Sequence, residues 1–366
     1  MRTSRLKKSR ARKNTMCSED YDDNVTSKDP VTENAEGIIR KLIGWMLKLQ
    51  RETGLADFYE KNLQNIAPEK NVYPSFTANP TKNRAQDVPC LEHSRLKLKE
   101  LMPGECDYIH ANYIIQPKKT DRVYIAAQHP MNTTISDFYR MVFYEKVETI
   151  VCLTKTNETD CPTYWPTEQG KFATYGTFFV NTRKVTPPAA KYAPTAYQIE
   201  ILPDGCSNSS IITLLHYPHW AKDTLPPNAR VIMKLLRAIK GGDKDHPVLI
   251  SCDTGVNRTG LVIFADIFCQ HVFTATDQND VNIPVMVTKT FTDMRNDRAC
   301  FIQNKMYFAY ALYVFADYVR IRCKRYKIFP DIIAMVEEIE ASFIKKNVAI
   351  LSKEPPPNAV KEKAEE

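Results

Sequence analysis

Cys252 and Arg258 stand at the two ends of the stretch Cys252-Asp253-Thr254-Gly255-Val256-Asn257-Arg258. A thiol and a guanidinium at that spacing suit chemistry on a phosphate. The five residues between them let successive backbone N–H groups curl around a dianion at a helix N-terminus. Arg258 can then clamp two oxygens with its planar fork. The same positive field is expected to lower the thiol pKa and leave Cys252 as a thiolate nucleophile. The bare spacing is a weak signal, because a Cys behind a buried strand is commonly inert core. Its surroundings strengthen it: Gly255 permits close backbone approach and Thr259 adds a hydroxyl after the Arg.

The loop needs a strand before it and a helix after it. Pro247-Val248-Leu249-Ile250 reads as that strand, and the run from Gly260 to Ala265 as a helix aiming its dipole at the loop. Further buried strands are expected at Tyr124–Ala127 and Thr149–Leu153, and antiparallel ones within 171–183 and 197–202. Helices are expected over 135–145, 228–239, 260–274 and 303–319, with amphipathic ones from Glu33 and over 331–346. Residues 65–93, rich in Pro and Asn, read as a surface loop able to carry recognition. Strands mixed with helices give an α/β or α+β layered domain.

The chain of 366 residues could hold one large or two ordinary domains, and 25% charged with 43% hydrophobic residues is ordinary for a globular protein. Ten cysteines are scattered without a C-x-x-C pair or a nearby His at ligand spacing. We therefore expect no metal site, no cofactor and a reducing, cytoplasmic compartment. No run of 18 apolar residues exists and no signal peptide is visible, so no membrane span is expected. The first thirteen residues carry seven basic ones, and Glu19, Asp20, Asp22 and Asp23 then reverse the sign. Residues 1–32 thus read as a disordered arm, either a nuclear-targeting or anionic-surface segment or a solvated tail. Much of the net charge of +7 lies there, so it gives no reason to expect nucleic acid as a partner. The folded domain is expected over 33–325, followed over 326–366 by a helix and a disordered tail; a monomer is expected.

The segment from Ser251 to Gly260 resembles the signature loop H-C-x-x-G-x-x-R-[ST]-G of the classical protein tyrosine phosphatases, with Ser251 in the place of His. Lys82-Asn83-Arg84 with His93 to Leu98, Asp107 to Ile114, Tyr124 to Pro130, Asp137 to Met141, Tyr164 to Pro166, Trp220 to Pro226 and Arg295 to Gln303 follow in that family's order. The resemblance implies a single domain with a twisted mixed sheet flanked by helices. His110 and the altered catalytic blocks are also similar to the phosphatase-like proteins of bracoviruses, which parasitoid wasps deliver into insect hosts. That likeness implies interference with host immune-cell signalling from the host cytoplasm.

What the family resemblance implies for chemistry is hydrolysis of phosphotyrosine on proteins through a phosphocysteine. Cys252 takes the nucleophile's place, and Arg258 with the backbone of Asp253, Thr254, Gly255, Val256 and Asn257 binds the phosphate. Thr259 supports the leaving thiolate, Gln303 positions water and Glu158 holds Arg258. Several departures stand in the catalytic blocks. Trp220-Ala221-Lys222-Asp223 replaces W-P-D-x, so Lys222 stands where the general acid belongs and Asp223 one position later. A missing general acid costs on the order of 10²- to 10⁴-fold. Ala85 stands where a tyrosine stacks on the substrate ring, Ser251 for His, Asp253 adds a negative charge and Tyr307 replaces a second glutamine. Asn257, in the place of Gly, is expected to tolerate a left-handed backbone. Three readings stay open: a slow phosphatase, a pseudophosphatase that binds and shields phosphotyrosine proteins, and an interaction protein with a vestigial pocket.

Overall fold

The computed structural model describes residues 33–115, 122–155, 158–274 and 281–351. The arm expected over 1–32 and the tail expected from 354 lie outside the described residues. The strands are β1 (Arg95–Lys97), β2 (Tyr108–Ile114), β3 (Tyr124–Gln128), β4 (Thr149–Cys152), β5 (Phe172–Tyr175), β6 (Phe178–Thr186), β7 (Thr195–Pro203), β8 (Ser210–His216) and β9 (Val248–Cys252). They form one mixed sheet in the order β1-β2-β3-β9-β4-β8-β7-β6-β5. The four central strands β3, β9, β4 and β8 run parallel, and the flanking pairs are antiparallel. β9 is buried along its whole length, as a parallel strand covered on both faces must be. Its continuous apolar run is the sequence trace of that burial.

Helices cover the two faces. These are α1 (Glu36–Glu52), α2 (Leu55–Asn62), α3 (Pro74–Ala78), α4 (Ile135–Tyr144), α5 (Arg230–Lys240), α6 (Arg258–Thr274), α7 (Ile283–Asp297), α8 (Lys305–Tyr326) and α9 (Pro330–Asn347). α4 packs Phe138, Tyr139, Met141 and Val142 against one face. α6 and α8 are apolar nearly all round because they lie inside the other core, between the sheet and the outer helices. α8 runs past the expected end at Val319, since Cys323 remains buried. α9 packs Ile332, Val336, Ile339 and Phe343 into this core and pairs Glu338 with Arg51 of α1 at 2.6 Å.

Residues 65–93 depart from the surface loop expected of them. The segment contains α3, and Val88, Cys90 and Leu91 are buried. Cys90 packs with Phe76 and Tyr108, and Asn112 donates to Leu91 O at 3.1 Å, so the stretch is drawn onto the sheet edge. Beyond α9 the chain returns to the loop at Trp220–Pro226. Leu225 N donates to Ile350 O at 2.8 Å, and Leu225 bridges Leu351. No helix among the described residues is long and apolar enough to cross a membrane.

Candidate active site

The segment from Cys252 to Arg258 leaves the carboxyl end of β9 and enters α6, the place where open α/β sheets hold their ligands. Its carbonyls are all taken up on one side. His129 N donates to Cys252 O at 2.8 Å and to Asp253 O at 3.1 Å, and Arg84 Nε donates to Asp253 O at 3.0 Å. Arg298 donates to Thr254 O at 2.9 Å and to Gly255 O at 2.8 Å, while Ile302 N holds Val256 O at 3.1 Å. Each N–H lies opposite the carbonyl of its planar trans peptide, so the amides after these carbonyls face the concave side. Gly255 takes φ +70°, and a Cβ there would stand 2.3 Å from Ala127 O. Only glycine fits that close approach to β3.

Arg258 is buried at the start of α6. Nη1 donates to Glu158 Oε2 at 2.7 Å, to Leu153 O at 2.9 Å and to Trp220 O at 3.1 Å. Nη2 pairs with Glu158 Oε1, so the Glu158 clamp is two-pronged, and Lys155 N steadies that carboxylate at 3.0 Å. Arg258 Nη2 also lies 3.3 Å from Asp253 Oδ1. The Trp220 indole stacks on Tyr307 at 5.9 Å and its Nε1 donates to Thr224 O at 2.7 Å, which folds residues 220–224 into a tight turn. Lys222 points at the 252–258 loop, with Nζ 3.4 Å from Asp253 Oδ2. Asp223 is exposed at φ +57° and makes no hydrogen bond or ion pair among the described residues.

Cys252 is fully buried at the end of β9. The expectation of a lowered thiol pKa is overturned: burial pushes it up and the Asp253 carboxylate adds to the rise, against the pull of Arg258 and of the Thr259 hydroxyl and amide. The local motif predicts only the favourable part, since neither burial nor the placement of the Asp253 side chain is visible in it. Thr259 is fully buried beside that sulfur, to which its hydroxyl can donate. Ser251 Oγ and Tyr164 Oη are buried next to each other.

Asn257 is a second correction. It is not among the residues with positive φ, a conformation taken here by Gly255. Instead its Oδ1 accepts from Gln303 N at 2.9 Å and Asn304 N at 3.4 Å, tying the Gln303 turn to the 252–258 loop. Gln303 itself is exposed, and its side chain reaches Cys300. Tyr307 is buried, its phenol pKa raised by burial and partly lowered by Arg258. The segment with Ala85 is held in place, because Arg84 N donates to Gln128 Oε1 at 3.0 Å and Gln128 Nε2 to Lys82 O at 2.7 Å. Away from this site, Glu148, Asp243 and His246 bring one possible metal-ligand atom each within 4.8 Å of one another, before β4 and β9 at the opposite end of the sheet.

Arg84 and Arg298 are the loop's scaffold, and motif spacing alone does not disclose it. Both lie inside the quoted blocks; Arg298 is fully buried and Arg84 half-buried, and an Arg withdrawn from water must find several acceptors. Arg298 also donates to Asn112 Oδ1 at 2.7 Å and reaches His110 Nδ1 at 3.2 Å, while His110 Nε2 donates to Val88 O at 2.8 Å. Burial first, and then Arg298, push the His110 pKa down to about 3; burial also lowers that of His129 to about 4. These imidazoles are held neutral, so the unfolded chain binds more protons below pH 6.5 or so. Their contribution to stability is complete above that value and is lost as the pH falls toward 4 and then 3. Thermal melts at pH 7 and 4.5 are expected to show a smaller drop for His110→Asn than for the wild type; an unchanged drop would remove His110 from the account.

A strand, a tight loop and a helix start thus carry Cys252 and Arg258 in a Cys-x5-Arg arrangement. The family model described as Protein-tyrosine phosphatase matches residues 79–317, more than half of the chain, and the chain belongs to that family. It is 31% identical over 266 residues to Receptor-type tyrosine-protein phosphatase epsilon of Homo sapiens, covering 69% of this chain and 36% of that protein. It is 29% identical over 261 residues to Tyrosine-protein phosphatase non-receptor type 5 of Mus musculus, covering 68% and 44%. With Receptor-type tyrosine-protein phosphatase zeta of Rattus norvegicus the match is 29% over 235 residues, covering 60% and 10%. The chain thus spans less than half the length of each of these relatives.

Proposed function

We propose that this chain, with residues 33–325 as its catalytic domain, is a protein tyrosine phosphatase of reduced rate. The observation that carries the reading is the engagement of every loop carbonyl from Cys252 to Val256 by donors behind the loop, which leaves amides and Arg258 converging beside the thiol. Cys252 attacks phosphorus, Arg258 and the amides of 253–258 stabilise the equatorial oxygens, and the phosphocysteine is hydrolysed by a water that Gln303 positions. Thr259, against the sulfur, eases the second step. Proton delivery to the leaving group is the weak step. Lys222 stands where the acid belongs, and Asp223, the carboxylate of the 220–226 segment, takes part only after the Trp220–Thr224 turn rearranges. Without a stacking aromatic at Ala85, selection for phosphotyrosine is relaxed.

Release of phosphate from an aryl phosphate by the purified chain, abolished in Cys252→Ser, tests the reading; no release at high protein concentration overturns it. The rate is expected to rise about 10²-fold or more when an acid is restored. Lys222→Asp alone places its carboxylate near Asp253, where like charges repel, so the larger gain is expected from Lys222→Asp combined with Asp253→Ser. A second reading, capture and shielding of phosphotyrosine proteins without turnover, is favoured by Lys222 in the acid position and by the raised Cys252 pKa. Arg258-dependent phosphopeptide binding with no turnover, even in the double variant, would select it. On the bracovirus likeness we place the protein in the host cytoplasm, as a monomer acting on phosphotyrosine proteins of immune-cell signalling, with the basic arm as a route to the nucleus. Changed phosphotyrosine levels in insect haemocytes expressing it, lost in Arg258→Ala, test that placement.

A further inference from the structure

We infer that the Asp253 side chain limits phosphate affinity at this site: it is an internal anion that competes with phosphate for Arg258 and Lys222. The inference rests on the phosphate-binding reading of the loop. Asp253 Oδ1 lies 3.3 Å from Arg258 Nη2 and its Oδ2 3.4 Å from Lys222 Nζ, so one carboxylate spans the cation of the phosphate loop and that of the facing turn. Asp253 is only 8% exposed and Arg258 is buried, so their pair is shielded from bulk water, while the Lys222 side chain reaches Asp253 from the solvent side. The backbone N–H of Thr254, one of the loop amides, also stabilises the carboxylate, and together with Arg258 and Lys222 it holds the Asp253 pKa below the usual range despite burial. A phosphate entering the loop needs Arg258 and the loop amides. It must displace the carboxylate or accept a like charge beside it. Lys222 adds nothing to phosphate binding while its charge is spent on Asp253, and becomes a phosphate ligand once that carboxylate is removed.

The test is isothermal titration of the full chain with inorganic phosphate at pH 7.5. Asp253→Asn keeps the shape of the side chain and removes its charge; Asp253→Ser serves if the first variant does not fold. Either is expected to lower the Kd tenfold or more. Lys222→Ala is expected to shift the Kd less than twofold in the wild type, yet to raise it fivefold or more in the Asp253→Asn background. That coupling distinguishes competition from a merely structural effect. A Kd within twofold of wild type in both Asp253 variants, with Arg258-dependent binding retained, overturns this inference and leaves the proposed function standing. Absence of phosphate binding in the wild type and in every variant overturns both.

Discussion

Arg258→Ala is expected to abolish measurable phosphate binding and to lower any turnover by on the order of 10³-fold, with a loss of roughly 3–5 kcal/mol of stability. The reason is the number of roles that meet on one guanidinium. It neutralises the nearly buried Glu158 with a two-pronged contact, holds Leu153 O, and ties the Trp220 turn to the phosphate loop through Trp220 O. Removing it leaves the Glu158 carboxylate with Lys155 N but no cation, and takes a donor from the carbonyls of Leu153 and Trp220; a nearly buried charge without its partner is the costly case. Arg258→Lys separates the two effects. An ammonium keeps the charge near Glu158 and should retain part of the stability, yet it lacks the fork that serves Glu158 and a phosphate together. Phosphate titration, aryl phosphate turnover and urea denaturation of both variants give the measurement. Binding within tenfold of wild type in Arg258→Lys would show that charge alone suffices here.

Gly255→Ala is expected to be nearly as damaging through the backbone. The residue holds φ +70°, which costs a non-glycine residue about 1–2 kcal/mol. The added Cβ would also stand 2.3 Å from Ala127 O, 2.4 Å from Ala127 C and 2.8 Å from Arg298 Nη2. The first two are backbone atoms in the middle of the sheet and cannot swing aside. Overpacking of about 1–3 kcal/mol therefore adds to the strain, and relief requires the loop to leave β3 and Arg298. Loss of phosphate binding should accompany the fall in melting temperature. Gly205→Ala is the control, because it has φ +73° with nothing within 4 Å of a new Cβ. It should show the strain without the clash; equal losses in the two variants would mean that the approach to Ala127 is not what holds the loop.

Much of the architecture follows from short-range pattern. The apolar run before Cys252 reads as a buried strand and is one covered on both faces, and the helix after Arg258 follows from an uninterrupted apolar stretch. Residues 65–93 were less legible, because Pro and Asn announce turns but say nothing of where Cys90 and Leu91 will be buried. Asn257 shows the same limit at one residue: its type allows a left-handed backbone, while its contacts made it a tether for Gln303. Lys222 and Asp223 could be counted off from Trp220, but not aimed.

The sequence by itself determined that a thiol and a guanidinium would share one amide-lined loop between a buried strand and a helix, since seven consecutive residues cannot separate. It also determined that Lys222, Ala85 and Ser251 would stand in segments that match the family's order. Tertiary structure decided what those residues meet. Arg84 and Arg298 reach the loop from distant segments, Leu225 is bridged to Leu351, and the Asp253 carboxylate lies between Arg258 and Lys222. Contacts between residues far apart in the chain, and the burial that raises the Cys252 pKa, are properties of packing, and no local spacing carries them.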